Sequence, residues 1–139
     1  VVDLGAGGGV AALAAAMTGA ARVVAVDLDP LAAVTCRLNA GLNGMALATV
    51  VGDALDGVAL DAELVLAGDL FYEAGLAMRA GAFLAGCARA GKAVLIGDPG
   101  RAAFSPASFP GAKLRRLSES EGADFGARAR LSVYAVETA

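Results

Sequence analysis

The feature that most restricts this chain is its opening turn, Asp3-Leu4-Gly5-Ala6-Gly7-Gly8-Gly9, set between Val1-Val2 and the alanine-rich stretch Val10–Met17. An apolar strand, a glycine turn and a helix start make the first βα unit of an open α/β sheet. The glycines leave no Cβ to keep ligand atoms from the backbone, so the turn is a nucleotide site. Asp27 closes the next apolar run, about twenty residues on, where a carboxylate can accept two hydrogen bonds from a ribose diol.

The rest of the chain alternates strand and helix, which predicts a parallel sheet covered on both faces. Val1–Leu4 reads as the first strand and residues 8–18 as the first helix, closed by Gly19. Residues 22–27 form the second strand, and Asp29-Pro30 start a helix running to about Leu42, with Asp as N-cap and Pro in the first turn. Strands follow at 46–51, 63–68 and 92–97, with a helix over 74–90 and a loop or single turn over 54–61. Residues 102–112 lack a helical period and predict an ordered loop. Lys113–Ser118 and Arg128–Val136 read as two last strands, joined by a polar turn over 119–126.

At 139 residues, 58% of them hydrophobic, the chain is long enough for one compact domain over 1–139. It starts at Val1 without a methionine, so a natural N-terminal segment is expected ahead of it. No apolar run reaches eighteen residues and no secretory leader pattern occurs, which gives no reason to expect a membrane partner. The net charge of −3 with scattered basic residues gives none to expect nucleic acid. Cys36 and Cys87 lack a CxxC partner and read as core thiols in a reducing, cytoplasmic compartment. The absence of histidine excludes histidine acid–base chemistry and histidine-ligated metals, and no metal site is expected.

The glycine spacing separates two cofactor classes. A dinucleotide fingerprint counted from Gly5 needs a glycine at position 10, which is Val10. The chain instead has Asp3, Gly5, Gly7 and Gly9 at alternate positions. This resembles the acid-x-G-x-G-x-G motif of class I S-adenosylmethionine methyltransferases; a carboxylate there suits a cationic amino acid end and would repel a pyrophosphate. The resemblance implies a Rossmann-like sheet of order 3-2-1-4-5-7-6 with helices on both faces and a C-terminal antiparallel hairpin. It also implies S-adenosyl-L-methionine as cofactor, held by Asp3, Gly5, Gly7, Asp27, Leu28, Asp53 and Asp69. Asp53 would face the adenine amino group and Leu28 its ring, although a turn aspartate and a core leucine are the plain alternatives.

Asp69-Leu70-Phe71-Tyr72 stands where amide and exocyclic-amine methyltransferases carry Asn/Asp-Pro-Pro-aromatic. Asp-x-x-Tyr resembles the family-16 protein methyltransferases. Together with Asn39…Asn43-Gly44 and Gly97-Asp98-Pro99-Gly100-Arg101, it is similar to the electron-transfer-flavoprotein β-subunit lysine methyltransferases and their bacterial relatives. The similarity implies a protein substrate, with Asp69 and Tyr72 as catalytic residues. Asp69 would hold the incoming ammonium, or cap the next helix, and Tyr72 would add a hydroxyl and a cation-binding ring. Asp98 and Arg101 are expected to close over substrate or pair with each other, and Asn39 and Asn43 to serve as helix-end hydrogen bonders. A ribosomal-protein or small-amine acceptor, an NAD oxidoreductase and a non-catalytic binding domain are the alternatives.

Overall fold

A computed structural model describes residues 1–56, 61–124 and 126–139. The chain forms β1 (Val2–Leu4), α1 (Val10–Met17), β2 (Val24–Asp27), α2 (Pro30–Leu42), β3 (Ala48–Val51), β4 (Leu64–Gly68), α3 (Ala74–Arg89), β5 (Ala93–Asp98), β6 (Ala112–Asp124) and β7 (Ala127–Thr138), with a 3₁₀ turn at Pro106–Ser108. The sheet order is β3-β2-β1-β4-β5-β7-β6, with β6 and β7 antiparallel. This is the class I methyltransferase order. The chain divides into two compact units, Val1–Gly68 and Asp69–Ala139.

In the first unit β1 runs parallel to β2 on one side and β4 on the other, and β2 runs parallel to β3. Every residue of β1 is buried, as a central parallel strand covered on both faces requires. Ala12 and Leu13 of α1 pack with Cys36 and Ala40 of α2 over Val23, Ala25 and Leu47. The N-cap of α2 is Asp29, whose Oδ1 accepts from Leu31 N at 2.8 Å, with Pro30 in the first turn. The expected loop over 54–61 falls largely on 57–60, outside the described residues.

In the second unit α3 lies against β5, β7 and the 3₁₀ turn. Its contact with that turn is close at Gly81, where a Cβ would stand 2.2 Å from Ser108 O. Phe71 is fully buried, with ring centroids 4.9 Å from Phe104 and 5.6 Å from Phe109. Tyr134 of β7 extends the cluster, 4.9 Å from Phe104. The N-cap of α3 is Glu73 rather than Asp69: its carboxylate accepts from Gly75 N at 2.7 Å and Leu76 N at 2.8 Å. Those two hydrogen bonds hold its carboxyl below the usual range.

The hairpin departs from the sequence reading. Its strands pair as far as Asp124 and Ala127, so most of the polar segment expected as a turn is strand. Glu119 lies opposite Ser132 and Glu121 opposite Arg130, and Glu119 also pairs with Arg116. Only residues 95–98 of β5 pair with β7, opposite Ser132–Ala135. The distal ribbon therefore has no β5 partner and carries polar side chains that mimic a turn. Gly122 leaves room for Leu131, whose Cδ1 would lie 2.5 Å from an added Cβ.

Candidate functional site

The glycine turn is held from three directions inside the first unit. Gly9, at φ 80°, is the N-cap of α1, and a Cβ there would fall 2.4 Å from Cys36 Sγ. Asn39 of α2 donates its Nδ2 to Gly8 O at 2.8 Å. Asp27 reaches back from the end of β2: Oδ2 accepts from Gly7 N at 2.8 Å and Oδ1 from Asp29 N at 2.9 Å. Two of these anchors, Cys36 and Asn39, lie a helix away in sequence, and only their α2 spacing could have indicated them.

This geometry fits an adenosine-bearing cation. Gly5 and Gly7 have φ of 61° and 52°, and among the described residues, chain neighbours aside, no atom lies within 4 Å of where a Gly7 Cβ would stand. The Gly7 backbone is thus open to a ligand beside the Asp27 carboxylate, whose oxygens can each accept a further bond. Leu28, next in the chain, is 63% exposed, an apolar side chain with little protein cover. Asp53 Oδ1 accepts from Leu55 N at 2.9 Å, an Asx turn just after β3.

Asp3, expected to face the cofactor's cationic amino acid end, is engaged inside the protein. It is buried and its Oδ2 accepts from Ala12 N at 2.9 Å, satisfying an otherwise orphan N–H in the first turn of α1. Burial, with repulsion from Asp27, pushes its carboxyl up to about 6, against the pull of the Ala12 bond.

The second unit carries Asp69, Tyr72, Asp98 and Arg101. Buried Leu70 and Phe71 anchor the segment between Asp69 and the 66%-exposed Tyr72. Asp69 is the one described non-glycine residue with positive φ, at 55°, and its N–H donates to Gly97 O at 2.9 Å. The guanidinium of Arg101 forks onto Asp69, Nε to Oδ1 at 2.6 Å and Nη2 to Oδ2 at 2.7 Å. Asp98 Oδ1 accepts from Gly100 N at 2.7 Å and Arg101 N at 2.9 Å, so the expected Asp98–Arg101 link runs through the main chain. The Asp69–Arg101 fork had no local signal in the sequence.

Residues 1–70 match the family model described as ribosomal protein L11 methyltransferase (PrmA), just over half of the chain. The chain belongs to the PrmA methyltransferase family. S-adenosylmethionine-dependent methyl transfer is the chemistry of that family. The chain is 45% identical over 106 residues to the electron transfer flavoprotein β subunit lysine methyltransferase of Danio rerio, covering 75% of this chain and 41% of the relative. It is 51% identical over 69 residues to the ribosomal protein L11 methyltransferase of Pelotomaculum thermopropionicum, covering 48% and 22%. It thus spans about two fifths of the length of the flavoprotein-methylating relatives. In fold it is similar to the ribosomal protein L11 methylase of Lactobacillus delbrueckii subsp. bulgaricus, with TM-score 0.67, 21% identity, and coverage of 99% of this chain and 68% of that one. Among the described residues no helix is long and apolar enough to cross a membrane.

Proposed function

We propose that this chain binds S-adenosyl-L-methionine and methylates lysine side chains of a protein, the electron transfer flavoprotein β subunit being the first candidate. The observation carrying this reading is where the similarity lies. Any continuous match of 106 residues within 139 takes in Asp69 through Arg101, so the Danio rerio similarity includes the acceptor-side segment. The family model ends at residue 70, and the Pelotomaculum similarity covers only 48% of the chain. The family model thus bears on the cofactor half, and the two matches together support a ribosomal-protein acceptor as the second reading.

In the first unit Asp27 receives the ribose, Leu28 and Asp53 the adenine, and the Gly5–Gly7 backbone the amino acid part. Asp3 acts through α1, holding the first turn of the helix that the glycine loop enters. The cofactor supplies a methyl on a sulfonium whose departure leaves a neutral thioether, so no protein acid is required. The chain's task is then to receive a lysine as its ammonium, which has a pKa of about 10.4 and gives up a proton to solvent before transfer, and to orient the resulting free amine. Asp69 accepts from the nitrogen and aims its lone pair, while the exposed Tyr72 ring and hydroxyl flank it. The buried thiols Cys36 and Cys87 support a reducing, cytoplasmic setting.

The test is to incubate the full protein and labelled cofactor with purified flavoprotein β subunit and, separately, with ribosomal protein L11. Methyllysine in the flavoprotein subunit alone supports the first reading. Label in L11 alone replaces it with the second.

A further inference from the structure

We propose that Arg101 is a two-position gate on Asp69: its guanidinium occupies the carboxylate until a primary alkylammonium displaces it, and Asp98 Oδ2 then receives the guanidinium. This rests on the lysine reading above and names the two positioning residues that such an acceptor would meet.

The first observation is that Asp69 is engaged. Both of its oxygens accept from one guanidinium, at 2.6 and 2.7 Å, in the planar fork geometry that Arg makes best. In this state the carboxylate faces a cation that cannot be methylated. A lysine ammonium carries the same charge and donors, and can take the same oxygens. A hydroxyl or neutral amide lacks the charge to compete. The pair is also placed to open: the Asp69 side chain is 47% exposed, and ion pairs with that access to water exchange partners at little cost.

The second observation is independent. The residue Asp98 is only 4% exposed, and its Oδ2 has no hydrogen-bond partner among the described residues. A buried carboxylate oxygen without a donor is unfavourable and calls for one. Burial raises the Asp98 carboxyl, the nearby Asp69 charge adds to this, and Arg101 and the two backbone N–H bonds oppose it. Arg101 is tethered to this same aspartate, because Asp98 Oδ1 already accepts the Arg101 N–H. Gly100, at φ 90°, makes the turn that allows it. One residue therefore fills the Asp69 carboxylate with its guanidinium and is tethered through its backbone N–H to the Asp98 carboxylate, whose other oxygen lacks a donor. Movement from Asp69 to Asp98 exchanges one charge-assisted pair for another and leaves Asp69 for the substrate.

The account predicts selectivity for cationic acceptors and a defined role for each residue. The test follows the Arg101 Nε–H resonance in the full chain, identified by its loss in Arg101→Gln, while n-butylammonium chloride is added. Sodium chloride and n-butanol at matching concentrations are the controls. Butylammonium is expected to shift the resonance far more than either control. In Asp98→Asn the same addition should bring the Nε–H into fast exchange with water, because its second seat has lost its charge. A resonance that butylammonium moves no further than sodium chloride does overturns the proposal. Since this readout needs no methyl transfer, the transfer assay judges the lysine reading separately. With a lysine peptide, Arg101→Gln should lower KM several-fold without raising kcat. A higher KM would make Arg101 a support for Asp69 and refute the gate.

Discussion

Asp3 is the residue whose chemistry departs furthest from its exposed relatives in the chain. Its carboxyl titrates near 6 in the folded protein against 3.8 ordinarily, so the native state binds the extra proton between those values. Stability from this group is therefore fullest below about pH 4 and is lost as pH rises through about 6. The loss is on the order of 3 kcal/mol, at 1.36 kcal/mol per pKa unit. Asp3→Asn keeps an acceptor for Ala12 N and removes the buried charge. We expect the variant to gain on the parent between pH 4 and 6, as read from urea midpoints without cofactor; parallel pH profiles would show that Asp3 is not the titrating group. Asp27 is a half-buried carboxylate with two backbone partners and spare lone pairs. Asp27→Ala should weaken S-adenosylmethionine binding by roughly 1–3 kcal/mol in a calorimetric titration. Undiminished affinity would remove Asp27 from the ribose. Both aspartates were visible in the sequence, but the burial of Asp3 was not, because burial is fixed by strands on either side of β1 that the local pattern does not contain.

Among the elements, glycine separates packing from propensity. Alanine is favoured over glycine in a helix by about 1 kcal/mol. At Gly41 of α2 no atom of the described residues outside the local helix backbone lies within 4 Å of the added Cβ, so Gly41→Ala should raise stability by about that amount. At Gly81 of α3 the Cβ would meet the Ser108 carbonyl oxygen at 2.2 Å, and backbone cannot step aside cheaply. Overpacking costs about 1–3 kcal/mol and outweighs propensity there, so Gly81→Ala should destabilise. Thermal unfolding of the two variants checks the contrast; equal shifts in one direction would mean helix propensity alone governs both sites. The same scale explains what sequence could and could not yield. Asp29-Pro30 and Asn43-Gly44 bounded α2 correctly because their caps are local. The cap of α3 is Glu73 rather than Asp69 because the helix begins at Ala74, and the residue directly before it is the one that reaches the N–H groups of Gly75 and Leu76. The hairpin was underestimated because the period that reveals a strand depends on one buried face, and its distal half lacks that pattern.

For the whole molecule, the strand–helix alternation and the alternating glycines were legible along the chain, while the strand order came from the resemblance those glycines carry. The acceptor side was legible only as residues: Asp69, Tyr72, Asp98 and Arg101 stood out, while the ion pair joining two of them did not. The central claim is methyl transfer to lysine, and one measurement reaches it directly. The full protein is incubated with methyl-labelled S-adenosylmethionine and an extract of its own cells, and the protein fraction is hydrolysed and separated into amino acids. The account predicts label recovered as methyllysine with the parent chain and almost none with Asp69→Asn. Label confined to small molecules, or to an amino acid other than lysine, would contradict it.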